Sequence, residues 1–188
     1  MISNLPDRIF LCGFMGAGKS VIGQKVAEKL EVSFLDLDDR IEEETGQSIS
    51  EIFEESGESA FRVAERRALL EVIRTFNGVV SLGGGSLQNQ HMVDHVKLNG
   101  LLIFIETPIS VILNRISTDK NRPLLLNKQG NPKSKKQLKN ELSALYEERL
   151  PFYEQAVIQI KNDGKKSIGD IVEKLLKKIR NHVEYYRR

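Results

Sequence analysis

The chain has 188 residues, of which 28 are Lys or Arg and 26 are Asp or Glu, so its formal net charge is only +2. This balance argues against a dedicated polyanion binder, and we expect neither nucleic acid nor a membrane among its partners. A single cysteine, Cys12, excludes an intrachain disulfide, and the apolar runs are too short to cross a bilayer. We expect a cytoplasmic protein with one domain over residues 1–188.

Five short apolar runs rich in β-branched residues predict buried strands. They cover residues 8–12, 32–36, 79–82, 101–105 and 157–160. The runs are almost continuously apolar, which is typical of a parallel sheet covered on both faces. Stripes with helical spacing lie between them, for example Ile22, Val26 and Leu30. The alternation predicts an α/β fold in which a five-stranded parallel sheet is sandwiched by helices.

A glycine-rich segment follows the first predicted strand. Residues 13–20 read GFMGAGKS and fit the phosphate-loop pattern G-x-x-x-x-G-K-[ST]. The glycines let backbone N–H groups turn toward phosphate oxygens, and the positive end of the following helix points at them. We predict that Lys19 reaches the β- and γ-phosphates of a nucleotide and that Ser20 binds Mg²⁺.

Two carboxylates, Asp36 and Asp38, end the second predicted strand. Residues two apart on a strand point the same way, and ligands of open α/β sheets collect at the carboxyl ends of strands. One aspartate could hold Mg²⁺ through water, and the other could accept a hydrogen bond from a substrate hydroxyl. The alternative is a helix N-cap, since Asp38 and Asp39 precede a helical stretch.

An arginine, Arg62, lies between Glu58 and Glu65 at spacings that put all three side chains on one helix face. It is either part of an exposed salt-bridged helix or an oriented guanidinium that awaits a carboxylate. Three consecutive glycines, residues 83–85, follow the third predicted strand. We expect close approach of this backbone to a ligand.

Residues 117–139 break the pattern, because they lack an apolar stripe after Leu126. One acid, Asp119, stands among seven basic residues, which are Lys120, Arg122, Lys128, Lys133, Lys135, Lys136 and Lys139. A long irregular loop of this kind is either a solvated surface excursion or a basic lid that closes over phosphates.

Taken together, these motifs resemble the shikimate kinase family. The matching residues are 16–20, 36–38, 57, 58, 61, 62, 65, 81–85, 122–125, 149, 151 and 153. Their order and spacing, over about residues 8–180, are far more specific than the phosphate loop alone. The resemblance implies a P-loop NTPase with the nucleoside-monophosphate-kinase-like fold. It also implies a single kinase domain with a substrate-binding helical region at about 37–74 and a lid at about 117–139.

The resemblance implies transfer of the γ-phosphate of ATP to the 3-hydroxyl of shikimate, giving shikimate 3-phosphate and ADP. This reaction belongs to the pathway to chorismate and the aromatic amino acids. The implied catalytic residues are Lys19, Asp38 and Arg122. The implied ATP-binding residues are Gly16, Ala17, Gly18, Lys19, Ser20, Val21, Arg115 and Arg122. The implied shikimate-binding residues are Asp38, Arg62, Gly83, Gly84, Gly85 and Arg149. Ser20 and Asp36 would hold Mg²⁺, and residues 162–167 would lie beside adenine.

One position departs from the family pattern. Val21 stands where many members have a hydroxyl residue, so a hydrogen bond to a nucleotide phosphate is expected to be missing. Two other functions stay open on the residues alone: a gluconate-type kinase, and a non-catalytic nucleotide-binding module whose lysine cluster binds nucleic acid. Because the chain has no heptad signature, we expect a monomer.

Overall fold

The computed structural model describes residues 5–116 and 133–185. Its five strands are β1 (Arg8–Cys12), β2 (Phe34–Asp36), β3 (Gly78–Ser81), β4 (Leu101–Glu106) and β5 (Ile158–Lys161). All neighbouring strands are parallel, in the order β2-β3-β1-β4-β5. The predicted α/β fold with a five-stranded parallel sheet is confirmed.

Eight helices connect or flank the strands in the described part of the chain. They are α1 (Lys19–Leu30), α2 (Leu37–Thr45), α3 (Ile49–Glu55), α4 (Gly57–Thr75), α5 (Gln90–Leu98), α6 (Ile109–Ile116), α7 (Lys135–Tyr153) and α8 (Ile168–Tyr185). The predicted stripe Ile22, Val26 and Leu30 is the buried face of α1. Helices therefore cover the sheet in the way that the alternating pattern predicted.

The sheet separates two apolar cores. Phe10 and Leu11, neighbours on β1, are both fully buried but belong to different clusters. Leu11 packs with residues of α1 and α8, and Phe10 packs with residues of α2, α4, α5 and α7. Because adjacent strand residues point to opposite faces, a strand covered on both sides must be apolar throughout. This explains the continuous apolar runs.

The edge strand β5 is an exception to that pattern. Ile158 and Ile160 are buried, whereas Gln159 and Lys161 are exposed. Val157 precedes the strand and is 53% exposed, so the strand predicted from residue 157 begins one residue too early. An edge strand has a neighbour on one side only, and here one face is open to solvent.

The predicted geometry at the end of β2 is wrong in one respect. The strand begins at Phe34 rather than at residue 32, and it ends at Asp36. Asp38 already lies in the first turn of α2, so strand alternation does not align the two carboxylates. Asp36 is itself the N-cap, because its side chain accepts a hydrogen bond from the Asp38 N–H at 3.1 Å. The alternative of an aspartate N-cap was therefore right, but the cap is Asp36 rather than Asp38 or Asp39.

The irregular segment predicted at 117–139 is wrong for its last five residues. Helix α7 begins at Lys135, and the hydroxyl of Ser134 caps it by accepting from the Gln137 N–H at 3.2 Å. Residues 117–132, which include Arg122, lie outside the described residues, and the lid hypothesis stays a prediction.

Two further observations concern the single cysteine and the length of the helices. Cys12, at the end of β1, is 1% exposed, and burial raises the pKa of its thiol to about 12 despite the neighbouring Lys19 ammonium. The thiol is therefore protonated at neutral pH and acts as a small apolar packing group. Across the described ranges, no helix has both the length and the apolar character needed to cross a bilayer.

Candidate active site

The glycine-rich segment turns sharply between β1 and α1. Gly18 is the N-cap of α1 and has φ of 91°, a left-handed conformation that favours glycine. A Cβ at this position would also lie 2.9 Å from Asn162 Nδ2. Glycine at this position therefore allows both the left-handed turn and the close approach of Asn162.

Side chains from distant parts of the chain hold the carbonyl groups of this loop. Asn162 Nδ2 donates to the Ala17 carbonyl at 2.7 Å, and Arg115 Nη1 donates to the Gly16 carbonyl at 2.9 Å. Arg115 Nη2 also donates to Asn162 Oδ1 at 3.1 Å. Since N–H and C=O of one trans peptide point in opposite directions, fixing the Ala17 carbonyl also fixes the direction of the Gly18 N–H.

Lys19 folds back across the same loop. Its Nζ donates to the Phe14 carbonyl at 3.2 Å, and the residue is only 9% exposed. The ammonium group therefore lies over the mouth of the loop in front of the α1 N-terminus. The positive end of the helix and the ammonium together provide a site for an anion.

Hydroxyl and carboxylate oxygens meet beside Lys19. Ser20 Oγ donates to Asp36 Oδ2 at 2.5 Å and lies 3.5 Å from Ser81 Oγ. The three residues come from α1 and from the carboxyl ends of β2 and β3. This is the sheet edge at which the sequence placed the carboxylates.

A second pair of carboxylates converges over Gly83. A Cβ on that glycine would lie 2.6 Å from Glu65 Oε1 and 2.9 Å from Asp38 Oδ1. Glu65 is 3% exposed and accepts a hydrogen bond from Ser86 Oγ at 2.7 Å. The sequence treated Glu65 only as a charge that flanks Arg62, and nothing in its local pattern indicates this contact with Ser86.

Arg62 lies between the two glutamates as the helical spacing predicted. Its Nη1 donates to Glu65 Oε2 at 2.7 Å, and its Nη2 donates to Glu58 Oε1 at 3.0 Å. Burial acts to lower the pKa of Arg62, but the two carboxylates outweigh it and raise that pKa. The side chain is 24% exposed and lines the cavity. The salt bridges of the first interpretation are present, although the guanidinium is only partly exposed. That Arg62 awaits the carboxylate of a ligand stays a prediction.

Arg149, on α7, reaches the same region from the other side. It is 6% exposed, and its Nη1 donates to the Gly84 carbonyl at 2.9 Å. Its guanidinium lies 5.8 Å from the centroid of the Phe14 ring. The hydroxyl of Tyr153 donates to the same Gly84 carbonyl. Sequence reasoning gave no role to Phe14 or Tyr153.

The three consecutive glycines leave room for these side chains. A Cβ on Gly85 would lie 2.5 Å from Arg62 Nη1, and one on Gly84 would lie 3.1 Å from the Met15 backbone nitrogen. The glycines let this backbone lie against the Arg62 side chain and against the backbone of the phosphate loop. The expected close approach to a ligand stays a prediction.

One cavity of about 1070 Å³ joins these groups. Of the residues singled out from the sequence, those that line it are Gly16, Gly18, Lys19, Ser20, Val21, Asp36, Asp38, Arg62, Gly83, Gly84, Gly85, Arg115 and Arg149. Ala17 is fully buried behind the loop and does not line the cavity. The volume slightly exceeds the usual range for small-molecule sites, so the cavity has room for two ligands side by side.

The family model for shikimate kinase matches residues 15–180. The chain belongs to the shikimate kinase family. The shikimate kinase of Chlorobium chlorochromatii is 39% identical over 95% of this chain and 93% of its own. That of a Sulfurihydrogenibium species is 40% identical over 92% of this chain and 97% of its own. The family predicted from the sequence is confirmed, and with it the class of ATP-dependent phosphotransferases.

Solved structures give the same picture. The shikimate kinase from Acinetobacter baumannii, solved in complex with shikimate, superposes with a TM-score of 0.85 at 34% identity, covering 96% of both chains. A gluconokinase from Sinorhizobium meliloti superposes with a TM-score of 0.61 at 17% identity, covering 98% of this chain and 97% of its own. The latter likeness shows the shared fold alone, which is the nucleoside-monophosphate-kinase-like P-loop fold.

Proposed function

We propose that this member of the shikimate kinase family transfers the γ-phosphate of ATP to the 3-hydroxyl of shikimate, giving shikimate 3-phosphate and ADP. The main observation behind the proposal is that the cavity in front of the phosphate loop is also lined by Arg62 and Arg149. Arg62, on α4, contacts Gly85, and Arg149, on α7, contacts the neighbouring Gly84. Two convergent guanidinium groups suit an acceptor that carries a carboxylate. The shikimate bound in the A. baumannii relative supports this acceptor.

The nucleotide end of the cavity is formed by the phosphate loop. Gly16, Ala17 and Gly18 supply backbone donors to the ATP phosphates, and Lys19 and Ser20 supply side chains. The family resemblance gives Arg115 the role of stacking on adenine, and its guanidinium is held by hydrogen bonds to the Gly16 carbonyl and Asn162. The role of Arg122 on the phosphates rests on the family resemblance alone, since that residue lies outside the described ranges.

Mg²⁺ fits the oxygens of Ser20 and Asp36. A hydroxyl and a carboxylate 2.5 Å apart form the small, hard-oxygen donor set that this ion prefers when phosphates supply its other ligands. These two residues would hold the ion, which when bound neutralises charge on the phosphates. The hydrogen bond between them fixes the carboxylate in place beforehand.

Asp38 and the arginines orient the acceptor. Asp38 accepts a hydrogen bond from the shikimate hydroxyl and directs that oxygen toward the γ-phosphate, while Arg62 and Arg149 bind the carboxylate. Because phosphoryl transfer passes through a loose transition state, orientation contributes more than early removal of the hydroxyl proton. Asp38 can take that proton late in the reaction.

The substitution Gly85→Ala should lower kcat/KM for shikimate about tenfold, because the added Cβ would collide with Arg62 Nη1 and displace a charge-assisted donor. Steady-state rates at saturating ATP measure this effect. Gly169→Ala is the control, since its Cβ would meet nothing closer than 3.6 Å. An unchanged kcat/KM in a folded Gly85→Ala protein would show that the close contact between the Gly85 backbone and the Arg62 guanidinium is unimportant for catalysis.

The substitution Val21→Thr should lower the KM for ATP about two- to tenfold and leave the KM for shikimate unchanged. Val21 is 49% exposed and lines the cavity, and threonine has nearly the same shape but adds a hydroxyl that can donate to a phosphate. Val63→Thr, at an exposed position on α4, is the control. Equal KM values for ATP in all three proteins would refute the expectation.

The proposed function is tested by measuring ADP formation with one acceptor at a time. Purified protein, ATP and Mg²⁺ are combined with shikimate, gluconate, a nucleoside monophosphate or no acceptor, and parallel reactions contain EDTA. We expect turnover with shikimate only, and none with EDTA. Phosphorylation of gluconate or of the monophosphate without phosphorylation of shikimate would show that the proposed acceptor is wrong. No turnover with any acceptor would favour the non-catalytic module.

A further inference from the structure

The middle of the glycine segment is bound twice by one helix. The Gly84 carbonyl accepts a hydrogen bond from Arg149 Nη1 at 2.9 Å and a second one from the hydroxyl of Tyr153. Arg149 and Tyr153 are four residues apart on α7, so their side chains leave the same face of the helix. A carbonyl oxygen has two lone pairs, and the two donors use both.

Tyr153 is anchored in the core. The residue is 1% exposed, and its ring lies 5.4 Å from that of Phe104 on β4, at an interplanar angle of 31°. Burial raises the pKa of the phenol, so the hydroxyl remains a proton donor throughout the neutral range. The Tyr153 ring therefore packs against the central sheet while its hydroxyl holds the Gly84 carbonyl. Because a tyrosine side chain has few rotatable bonds, this connection is stiff.

Arg149 is held by groups on the same side of the cavity. Its guanidinium lies over the Phe14 ring, donates to the Gly84 carbonyl and interacts with the Tyr153 hydroxyl. The direction of the guanidinium therefore depends on the Gly84 carbonyl and on Tyr153. If the Tyr153 hydroxyl is removed, that peptide loses the bond that ties it to the sheet, and both the carbonyl and Arg149 gain freedom.

We propose that Tyr153 is a positioning residue for the transfer reaction: by fixing the Gly84 carbonyl, it aims Arg149 at the carboxylate of the acceptor. This inference rests on the proposed function, because it takes shikimate as the ligand of Arg149. Tyr153 does not touch substrate in this account. Its effect reaches the acceptor only through Arg149.

The test compares Tyr153→Phe with Tyr146→Phe. Both variants remove one hydroxyl from α7, but no hydrogen bond of the Tyr146 hydroxyl is found in the described ranges. In Tyr153→Phe, kcat/KM for shikimate should fall about three- to tenfold while the KM for ATP stays within twofold. Tyr146→Phe should change neither value. Equal kcat/KM for shikimate in Tyr153→Phe and wild type, or an equal loss for both substrates, would overturn the proposal.

A double variant separates positioning from general stability. If Tyr153 acts through Arg149, adding Tyr153→Phe to Arg149→Ala should cause no further loss of kcat/KM for shikimate. If the double variant instead loses the product of the two single-variant factors in kcat/KM for shikimate, the proposed route through Arg149 is refuted. This holds even if Arg149→Ala and the double variant melt at the same temperature. The initial rates at low shikimate give kcat/KM for both proteins. If wild type itself does not use shikimate, the proposed function has failed, whereas an active wild type with a normal Tyr153→Phe variant refutes the positioning role alone.

Discussion

Replacing Lys19 by alanine should lower kcat for shikimate-dependent ADP formation about 10²- to 10³-fold. The ammonium lies over the phosphate loop and is held there by the Phe14 carbonyl. It is thus positioned before the nucleotide arrives, and its charge acts where negative charge develops on the phosphates. Steady-state kinetics at saturating ATP and shikimate measure the change.

Lys25→Ala is the matched control for this experiment. Lys25 lies on the same helix but is exposed to solvent, so its removal tests for a general effect of net charge. Circular dichroism and thermal unfolding establish that both variants fold. A folded Lys19→Ala protein whose kcat is within threefold of wild type would contradict the role given to this lysine.

Removing either arginine of the carboxylate pair should weaken shikimate binding far more than ATP binding. Arg62→Ala and Arg149→Ala each remove a charge-assisted donor, which is worth roughly 1.5–3 kcal/mol, or about 10- to 150-fold in affinity. Isothermal titration with each ligand gives the two affinities. Equal losses for ATP and shikimate, or no loss for shikimate, would count against the carboxylate site.

Two further variants sharpen this result. Arg67→Ala removes an exposed arginine from the same helix as Arg62 and should leave both affinities unchanged. Arg149→Lys keeps the positive charge but loses the planar fork, so it should recover little of the affinity lost in Arg149→Ala. Full recovery by lysine would mean that charge alone, without bidentate geometry, binds the acceptor.

The local parts of the fold could be predicted from the sequence. Strand β1 and the glycine-rich turn into α1 lie where they were predicted, because an apolar run and a glycine pattern specify them within a short stretch of chain. The first turns of α7 were missed, although Ser134 and Gln137 form a recognisable cap. The lysines there suggested an irregular surface, but solvent-facing helix turns are equally rich in charge.

The connections within the site could not be predicted, because they join residues far apart in the chain. The glycine run indicated a close approach, but only the fold shows that Arg62, Glu65 and Met15 are what come close. Likewise, the bond from Tyr153 to Gly84 spans 69 positions, and that from Ser86 to Glu65 spans 21. The hydrophobic periodicity of a sequence does not indicate hydrogen bonds between residues this far apart in the chain.

Identification of the product tests the central claim most directly. In the proposed reaction, Asp38 and the two arginines fix the acceptor so that one hydroxyl faces the γ-phosphate. The product formed from ATP and shikimate should therefore show a single phosphorus resonance coupled to the proton at C3 in a two-dimensional ³¹P–¹H NMR spectrum, with one ADP formed per product. Phosphate on another hydroxyl, a mixture of phosphorylated isomers, or release of inorganic phosphate in place of a phosphorylated product would contradict the account.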